Sequence, residues 1–317
     1  MNPVIHTGPA VRTTDPQSTD ASRAGTLVGA LVRLARPEQW PKNVLVVCVP
    51  LLDPLSWNGR ALANLGGAIA AFTLASTLVY VLNDLVDRRR DAHNPGRWHR
   101  PLASGRVTPP AAVLFAAAVA VLLVGVLTLQ AVTTVWPVAG YLLLNVAYSL
   151  GLKHVPLLDV FLVATGFVLR LVYGYLATGA TIPGWLLTAV FTLCLLLTLG
   201  KRRQELHSTG VVHRPALRGY TVPLVDQLMQ LSATLAAGCY LLYLRDEAPL
   251  GDYASTALIL LTPMAVFGLF RYLQLVLVHN AGGSPVRVLV RDPALVTNTV
   301  LWAALSGVLL LAARGQW

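Results

Sequence analysis

The chain is expected to be an all-α polytopic membrane protein, a bundle of about nine transmembrane helices. Three observations predict this: too little charge to cover a water-soluble core, a succession of long apolar runs, and a lopsided distribution of lysine and arginine. Charged residues make up 12% of the 317, and the mean hydropathy is +0.63. Soluble domains carry about 25% charged residues. A chain of this length could bury a large core in water but could not dress it with so few charges. Its surface must face lipid.

Apolar runs predict helices over residues 42–56, 61–82, 111–130, 133–151, 157–177, 184–200, 226–244, 254–278 and 295–313. Most reach the ~20 residues that cross the hydrocarbon layer. The first is short and holds Pro50, which predicts a tilted or broken entry helix. Orientation follows from lysine and arginine, which are in excess on cytoplasmic segments. With the N-terminus in the cytoplasm, nine spans place 19 of the 24 basic residues there: Arg12 to Lys42, Arg88 to Arg106, Lys153, Lys201 to Arg218, and Arg287 with Arg291. Arg60, Arg245 and Arg314 fall on the other side, and Arg170 and Arg271 lie within spans. The +10 net charge is thus a topology signal and implies no nucleic-acid partner, although a basic face attracts anionic membrane lipids and phosphorylated substrates.

Residues 1–22, rich in Thr, Ser, Asp and Pro, read as a disordered cytoplasmic tail and lack the apolar stretch of a signal peptide. Residues 23–317 read as a single transmembrane catalytic domain. Cys48, Cys194 and Cys239 stand singly in apolar runs, with neither disulfide nor metal spacing, and read as core residues.

In a membrane protein the informative residues are the polar ones an apolar sequence keeps. Asp84, Asp87 and Asp91 follow the second run at i, i+3 and i+7. At ~100° per residue they fall within about 60° of one another on one helix face, spread over ~10 Å. Three carboxylates facing one way repel each other unless a cation sits among them. Hard oxygen donors suit Mg²⁺, which keeps several waters and bridges to substrate phosphates. The plainer reading is a solvated helix end with Asp–Arg pairs, since Arg88, Arg89 and Arg90 adjoin. Asn83 directly before the triad, and Arg97, His99, Arg100, Pro101 and Gly105 after it, favour the site. Acids for a metal beside bases for phosphate make a diphosphate site.

The pattern Asn83-Asp84-x-x-Asp87-x-x-x-Asp91, followed by Arg100-Pro101-Leu102-Ala103-Ser104-Gly105, resembles the first signature of the UbiA superfamily of intramembrane prenyltransferases. The resemblance implies a nine-helix bundle in the bacterial plasma membrane, with a Mg²⁺–diphosphate site at the cytoplasmic mouth of a lipid-open cavity. Within the superfamily, RPEQWPKN (Arg36 to Asn43), AYSLGLKHVPLLDV (Ala147 to Val160), FVLRLVYG (Phe167 to Gly174) and GKRRQEL (Gly200 to Leu206) are similar to the decaprenyl-phosphate phosphoribosyltransferase branch. That likeness implies phosphoribosyl pyrophosphate as donor and a polyprenyl phosphate as acceptor. It also implies a product used for cell-wall arabinan. Ordinary prenyltransferases of the superfamily carry a second DxxxD motif. Here that region offers Asp159, with Val163 where the second acid would fall. This departure weakens ordinary prenyl transfer and fits a donor held by one acidic motif.

Asp159, Gly166, Arg170 and Tyr173 share a face of the fifth predicted helix, with Arg170 ~16 Å from Asp159 along the axis. An arginine at that depth must face the bundle interior or a wet cavity. It either pairs with an unidentified acid or serves a cavity, meeting a lipid phosphate or holding the architecture. Tyr148 and Lys153 end the fourth helix, where lysine ordinarily snorkels to the interface. The resemblance gives Lys153 a donor-phosphate role, and likewise Lys42 with Asn43. Trp40 reads as an interfacial anchor. Lys201, Arg202 and Arg203 read as a positive-inside run, and the resemblance makes Lys201, Arg202 and Glu205 candidates for a loop over the donor. Arg271, beside Tyr272, poses the same question as Arg170. The histidines show no metal-ligand spacing.

Together these readings give Mg²⁺-dependent transfer of 5-phosphoribosyl to a polyprenyl phosphate. Asp84, Asp87 and Asp91 hold the metal. Lys42, Asn83, Arg100, Tyr148, Lys153, Asp159, Arg170, Lys201 and Arg202 bind substrate. The alternative is a UbiA-type enzyme moving a prenyl group from its diphosphate to an aromatic or other lipid acceptor. A transporter would show inverted repeats with interrupted helices in matching places, and the sequence has none. A homo-oligomer is compatible with the sequence.

Overall fold

The computed structural model describes residues 27–48, 58–94, 96–208, 215–283 and 285–315, and it is all-helical across them. The helices are α1 (residues 27–34), α2 (Leu45–Cys48), α3 (Gly59–Ala92), α4 (Pro109–Thr128), α5 (Trp136–Leu150), α6 (Leu158–Thr178), α7 (Gly184–Ser208), α8 (Val222–Asp246), α9 (Ala254–Leu277), α10 (Pro285–Arg291) and α11 (Pro293–Arg314). Six of them are long and apolar enough to cross a membrane: α3, α4, α6, α7, α9 and α11. Helix α5 has 15 residues, short of the ~20 a span needs.

Eight of the nine expected helices have a counterpart here. Of the first, 42–56, the structure describes only the residues up to Cys48. Residues Pro37–Val44 wind as a 3-10 helix, and only Leu45–Cys48 are α-helical. Pro37 and Pro41 supply no backbone N–H, which favours the shorter, tighter turns. Pro50 and the predicted tail lie outside the described residues. Helix α3 runs about ten residues past its apolar stretch and carries the acidic motif on its last turns.

Helix starts follow local chemistry. Asn58 Oδ1 accepts the Ala61 N–H at 2.9 Å to open α3. Thr221 does the same for Leu224 at the head of α8, and Asp292 for Leu295 at the head of α11. Such side chains satisfy amide groups that no helical carbonyl reaches. Prolines at the first turns of α8 and α11 lose no bond there. Helix α6 ends on Gly179, whose φ of +74° suits glycine.

Two compact units are distinguished, 1–37 with 80–118, and 38–79 with 119–317. In the first, Leu34, Val81, Leu102 and Val107 are buried together with the acids described below. In the second, α7 packs along α6 and α8, α6 along α5, and α9 along α8 and α11. One cluster gathers Phe72, Tyr141 and Tyr173, another Leu196, Met229 and Tyr272, and a third Leu171, Tyr243 and Leu261. Small residues admit the close approaches that drive helix association in lipid: Ala68, Ala71 and Ala75 are all buried on one stripe of α3. Leu114, Leu143, Ile259 and Phe270 stand exposed, as lipid-facing side chains should. Cys194 and Cys239 are buried and unbridged, in keeping with core residues.

Candidate functional site

Helix periodicity puts Asp84 and Asp91 on one face of α3, and both carboxylates are buried, 3% and 2% exposed. One nitrogen of Arg100, Nη1, stands 3.1 Å from Asp84 Oδ1 and 2.6 Å from Asp91 Oδ2. Arg36 Nη2 donates to the same Asp84 oxygen at 2.5 Å, and Arg97 lies 3.5 Å from Asp91. Asp87 is partly exposed and lies 3.8 Å from Arg90. The partners of Asp84 and Asp91 are not the adjoining Arg88–Arg90 run but arginines from outside the helix. Arg88 instead bonds the Leu85 carbonyl.

The RPLASG segment explains how Arg100 is delivered. Ser104 closes a turn onto the Arg100 carbonyl through both its N–H and its hydroxyl, at 2.9 and 2.8 Å. Gly105 takes a φ of +73°, open to glycine at no steric cost. Val107 N–H then bonds the Pro101 carbonyl at 3.0 Å. Arg36 is the residue that sequence reasoning missed. It begins the RPEQWPKN segment, and its guanidinium also lies 5.1 Å over the Tyr80 ring.

Two buried carboxylates sharing one guanidinium nitrogen are close enough for one cation to touch both. This is a hard-oxygen donor set of the kind Mg²⁺ takes. Among the described residues no three His, Cys, Asp or Glu side chains gather as a metal site.

Apart from Asn83, which belongs to the first unit, the other predicted residues lie in the second. Arg170 is 5% exposed and has no carboxylate partner among the described residues. It donates to Asn43 Oδ1 at 2.9 Å, Gly166 O at 2.7 Å, Ser76 Oγ at 3.2 Å and Tyr141 Oη at 3.1 Å. The rings of Tyr141, Phe72 and Phe167 lie 4.5 to 5.4 Å away. A guanidinium in low dielectric needs such a shell of dipoles and ring faces. Asn43, on the entry segment, thus meets Arg170.

Asp159 is fully buried and held from two sides: Arg202 Nε lies 3.1 Å from Oδ2, and Tyr220 donates to Oδ1 at 2.7 Å. Arg202 also bonds Glu205. Burial first, and then the bond to Asp159, push the Tyr220 phenol above the ordinary tyrosine range. Lys201 is half exposed, 4.0 Å from Glu205. Arg203 ties α7 to Asp226 at 2.7 Å and to Asn280 at 2.7 Å. Asn83, Lys42, Tyr148 and Lys153 are partly buried, the last in the 3-10 turn Leu152–His154. Arg271 finds its acid in Asp292, at 3.2 and 2.8 Å, joining α9 to α11.

Comparison with known proteins shows the family. The model of the UbiA prenyltransferase family matches residues 53–287. A decaprenyl-phosphate phosphoribosyltransferase of Mycobacterium tuberculosis is 30% identical over 294 residues, 89% of this chain and 94% of that protein. The enzyme of that name from Mycolicibacterium smegmatis is 32% identical over 231 residues, covering 70% of this chain and 73% of its own. Among solved structures, a UbiA homolog from Archaeoglobus fulgidus bound to GPP and Mg²⁺ superposes with a TM-score of 0.64 at 17% identity, over 90% of this chain and 98% of that one.

Proposed function

Since the chain belongs to the UbiA prenyltransferase family, we propose that it moves the 5-phosphoribosyl group from phosphoribosyl pyrophosphate to a polyprenyl phosphate and releases pyrophosphate. It is a transferase of that family, and its similarity to decaprenyl-phosphate phosphoribosyltransferases extends over most of the chain. One observation supports the branch. Asp159, which stands where ordinary prenyltransferases would have a second acidic motif, is committed to Arg202 and Tyr220 inside the protein. Among the described residues, that leaves the acidic cluster on α3 for a donor.

In this reading Asp84 and Asp91 are the residues that would hold Mg²⁺, as hard oxygen donors suit that ion. When bound, the ion neutralises charge on the departing pyrophosphate. Arg100, Arg36 and Arg97 balance the two acids before donor binding and turn to phosphate oxygens when the donor arrives. An oxygen of the polyprenyl phosphate attacks the anomeric carbon. The bond from that carbon to pyrophosphate breaks, and the electron pair leaves with pyrophosphate. The attacking phosphate is already ionised near neutral pH, so no strong base is required. The substrate-binding roles of Lys42, Asn83, Tyr148, Lys153 and Lys201 rest on the family resemblance. So do the plasma membrane, the cytoplasmic active site and the supply of cell-wall arabinan.

The second reading is prenyl transfer, favoured by the GPP and Mg²⁺ bound to the Archaeoglobus fulgidus homolog. Detergent-purified protein with Mg²⁺, labelled phosphoribosyl pyrophosphate and polyprenyl phosphates of several lengths tests both. Label in the lipid phase, abolished by EDTA, is the expected outcome. Label remaining in water at every length, with turnover of a prenyl diphosphate and 4-hydroxybenzoate in a parallel tube, makes prenyl transfer the better account.

A further inference from the structure

A cavity of about 500 Å³ opens in the second unit, walled by Leu275 of α9, Gln204 of α7, and Arg287, Val288 and Arg291 of α10, with Asp292 behind them. None of these residues except the paired Asp292 has been given a task above. The volume falls in the range of small-ligand pockets.

Its charge is unbalanced. Arg287 and Arg291 stand at i and i+4, about 40° apart on one face of α10, and both are exposed. Neither has an acid partner among the described residues. The single carboxylate lining the cavity, Asp292, does not neutralise them. It already accepts two bonds from Arg271 and caps the Leu295 N–H. Two guanidiniums thus face a cavity whose one anion is spent.

Exposed apolar side chains accompany the arginines on α10: Leu289, opposite them, and Val290, at their flank, are 37% and 66% exposed. Arginines beside bare apolar side chains on a short helix suit the depth of lipid headgroups. Leu275 and Val288 add an apolar wall beside the arginines. The ligand that matches is an amphiphile with an anionic head and a hydrocarbon body. Guanidinium forks suit phosphate oxygens, and basic pockets between transmembrane helices take anionic lipid heads.

We propose that Arg287 and Arg291 form a binding site for the phosphate headgroup of a membrane lipid. The site is built from residues other than the acidic cluster on α3, and it does not rest on the phosphoribosyl reading.

The test is native mass spectrometry of the full-length protein released from detergent. Wild type is compared with R287Q/R291Q and with each single variant. The probes are phosphatidylglycerol, a polyprenyl phosphate, phosphatidylcholine and inorganic phosphate. Wild type should retain phosphatidylglycerol, the polyprenyl phosphate or both. The double variant should lose that binding at least tenfold and each single variant severalfold, with weak phosphatidylcholine binding unchanged. Retention of phosphatidylglycerol identifies a bilayer phospholipid as the occupant, and retention of the polyprenyl phosphate alone identifies a polyprenyl lipid; both support the site. Lipid binding within twofold of wild type in the double variant overturns it. So does displacement of the lipid by inorganic phosphate at equal concentration, which would make the pocket a free-anion site.

Discussion

Tyr220 holds Asp159 and Leu157 at once: its hydroxyl donates to Asp159 Oδ1 at 2.7 Å and accepts the Leu157 N–H at 2.8 Å. Leu157 sits at a φ of +64° directly before α6, a conformation costing a branched residue roughly 1–3 kcal/mol. The strained turn and the buried acid therefore share one anchor. Tyr220→Phe should lower stability by about 2 kcal/mol, the value of a bond to a charged group. Leu157→Gly in that background should recover part of the loss. Melting curves in detergent check both. An unchanged midpoint in Tyr220→Phe would show that the anchor carries no weight.

Removing the other partner of Asp159 should cost more. Arg202→Met strips the guanidinium from a fully buried carboxylate, which is expected to destabilise by roughly 3–5 kcal/mol. Asp159→Asn should also lower the melting midpoint. A variant that melts like wild type yet loses turnover would instead assign Asp159 to substrate.

Within the acidic motif the three aspartates should not behave alike. Asp84 and Asp91 share Arg100, whereas Asp87 is partly exposed beside Arg90. Asp84→Asn and Asp91→Asn are each expected to cut turnover by about two to three orders of magnitude, as when a charge-stabilising group is removed from a site. Asp87→Asn should cost about tenfold or less. Steady-state rates at saturating Mg²⁺ decide it, and equal losses at all three positions would restore the full triad as the metal set.

Much of the fold was legible because lipid imposes a simple pattern: an apolar run of sufficient length is a helix, and eight such runs correspond to α3 through α9 and α11. The stretch before the first predicted run was not legible, since Pro37 and Pro41 divert Pro37–Val44 into a 3-10 path that hydropathy does not register. In the site, the i, i+7 spacing gave Asp84 and Asp91 a common face, and RPLASG announced Arg100. The partners Arg36, Tyr220 and Asn43 were hidden for one reason. They stand 48, 61 and 127 residues from Asp84, Asp159 and Arg170 respectively, and no local period links such pairs. Of the two sequence readings of Arg170, the pairing acid does not appear among its described contacts, and neutral oxygens and ring faces take that place.

That neutral shell makes Arg170 intolerant of its nearest chemical relative. Its four acceptors are met by three nitrogens of the guanidinium fork, Nε, Nη1 and Nη2, and a lysine offers a compact point charge with no fork. Arg170→Lys should leave acceptors among Asn43, Ser76, Tyr141 and Gly166 unfilled and lower stability by about 3 kcal/mol. Thermal melts of the purified variant measure this. A midpoint equal to wild type would mean that water fills the shell.

The Arg271–Asp292 pair should set part of the stability profile in acid. The Arg271 hydrogen bonds first, and the capping amides after it, hold the Asp292 carboxyl below the ordinary carboxylate value. A depressed folded-state pKa means that the unfolded chain binds the proton more tightly. The contribution is therefore full above the unfolded value of about 3.9 and is lost as pH falls through the lower, folded value. Wild type should lose melting temperature steeply below about pH 4. Asp292→Asn should start lower and decline less over the same interval, because the capping oxygen remains while the titrating charge is gone. Parallel slopes in the two proteins would show that other carboxylates govern the acid limb and that the pair linking α9 to α11 does not contribute to it.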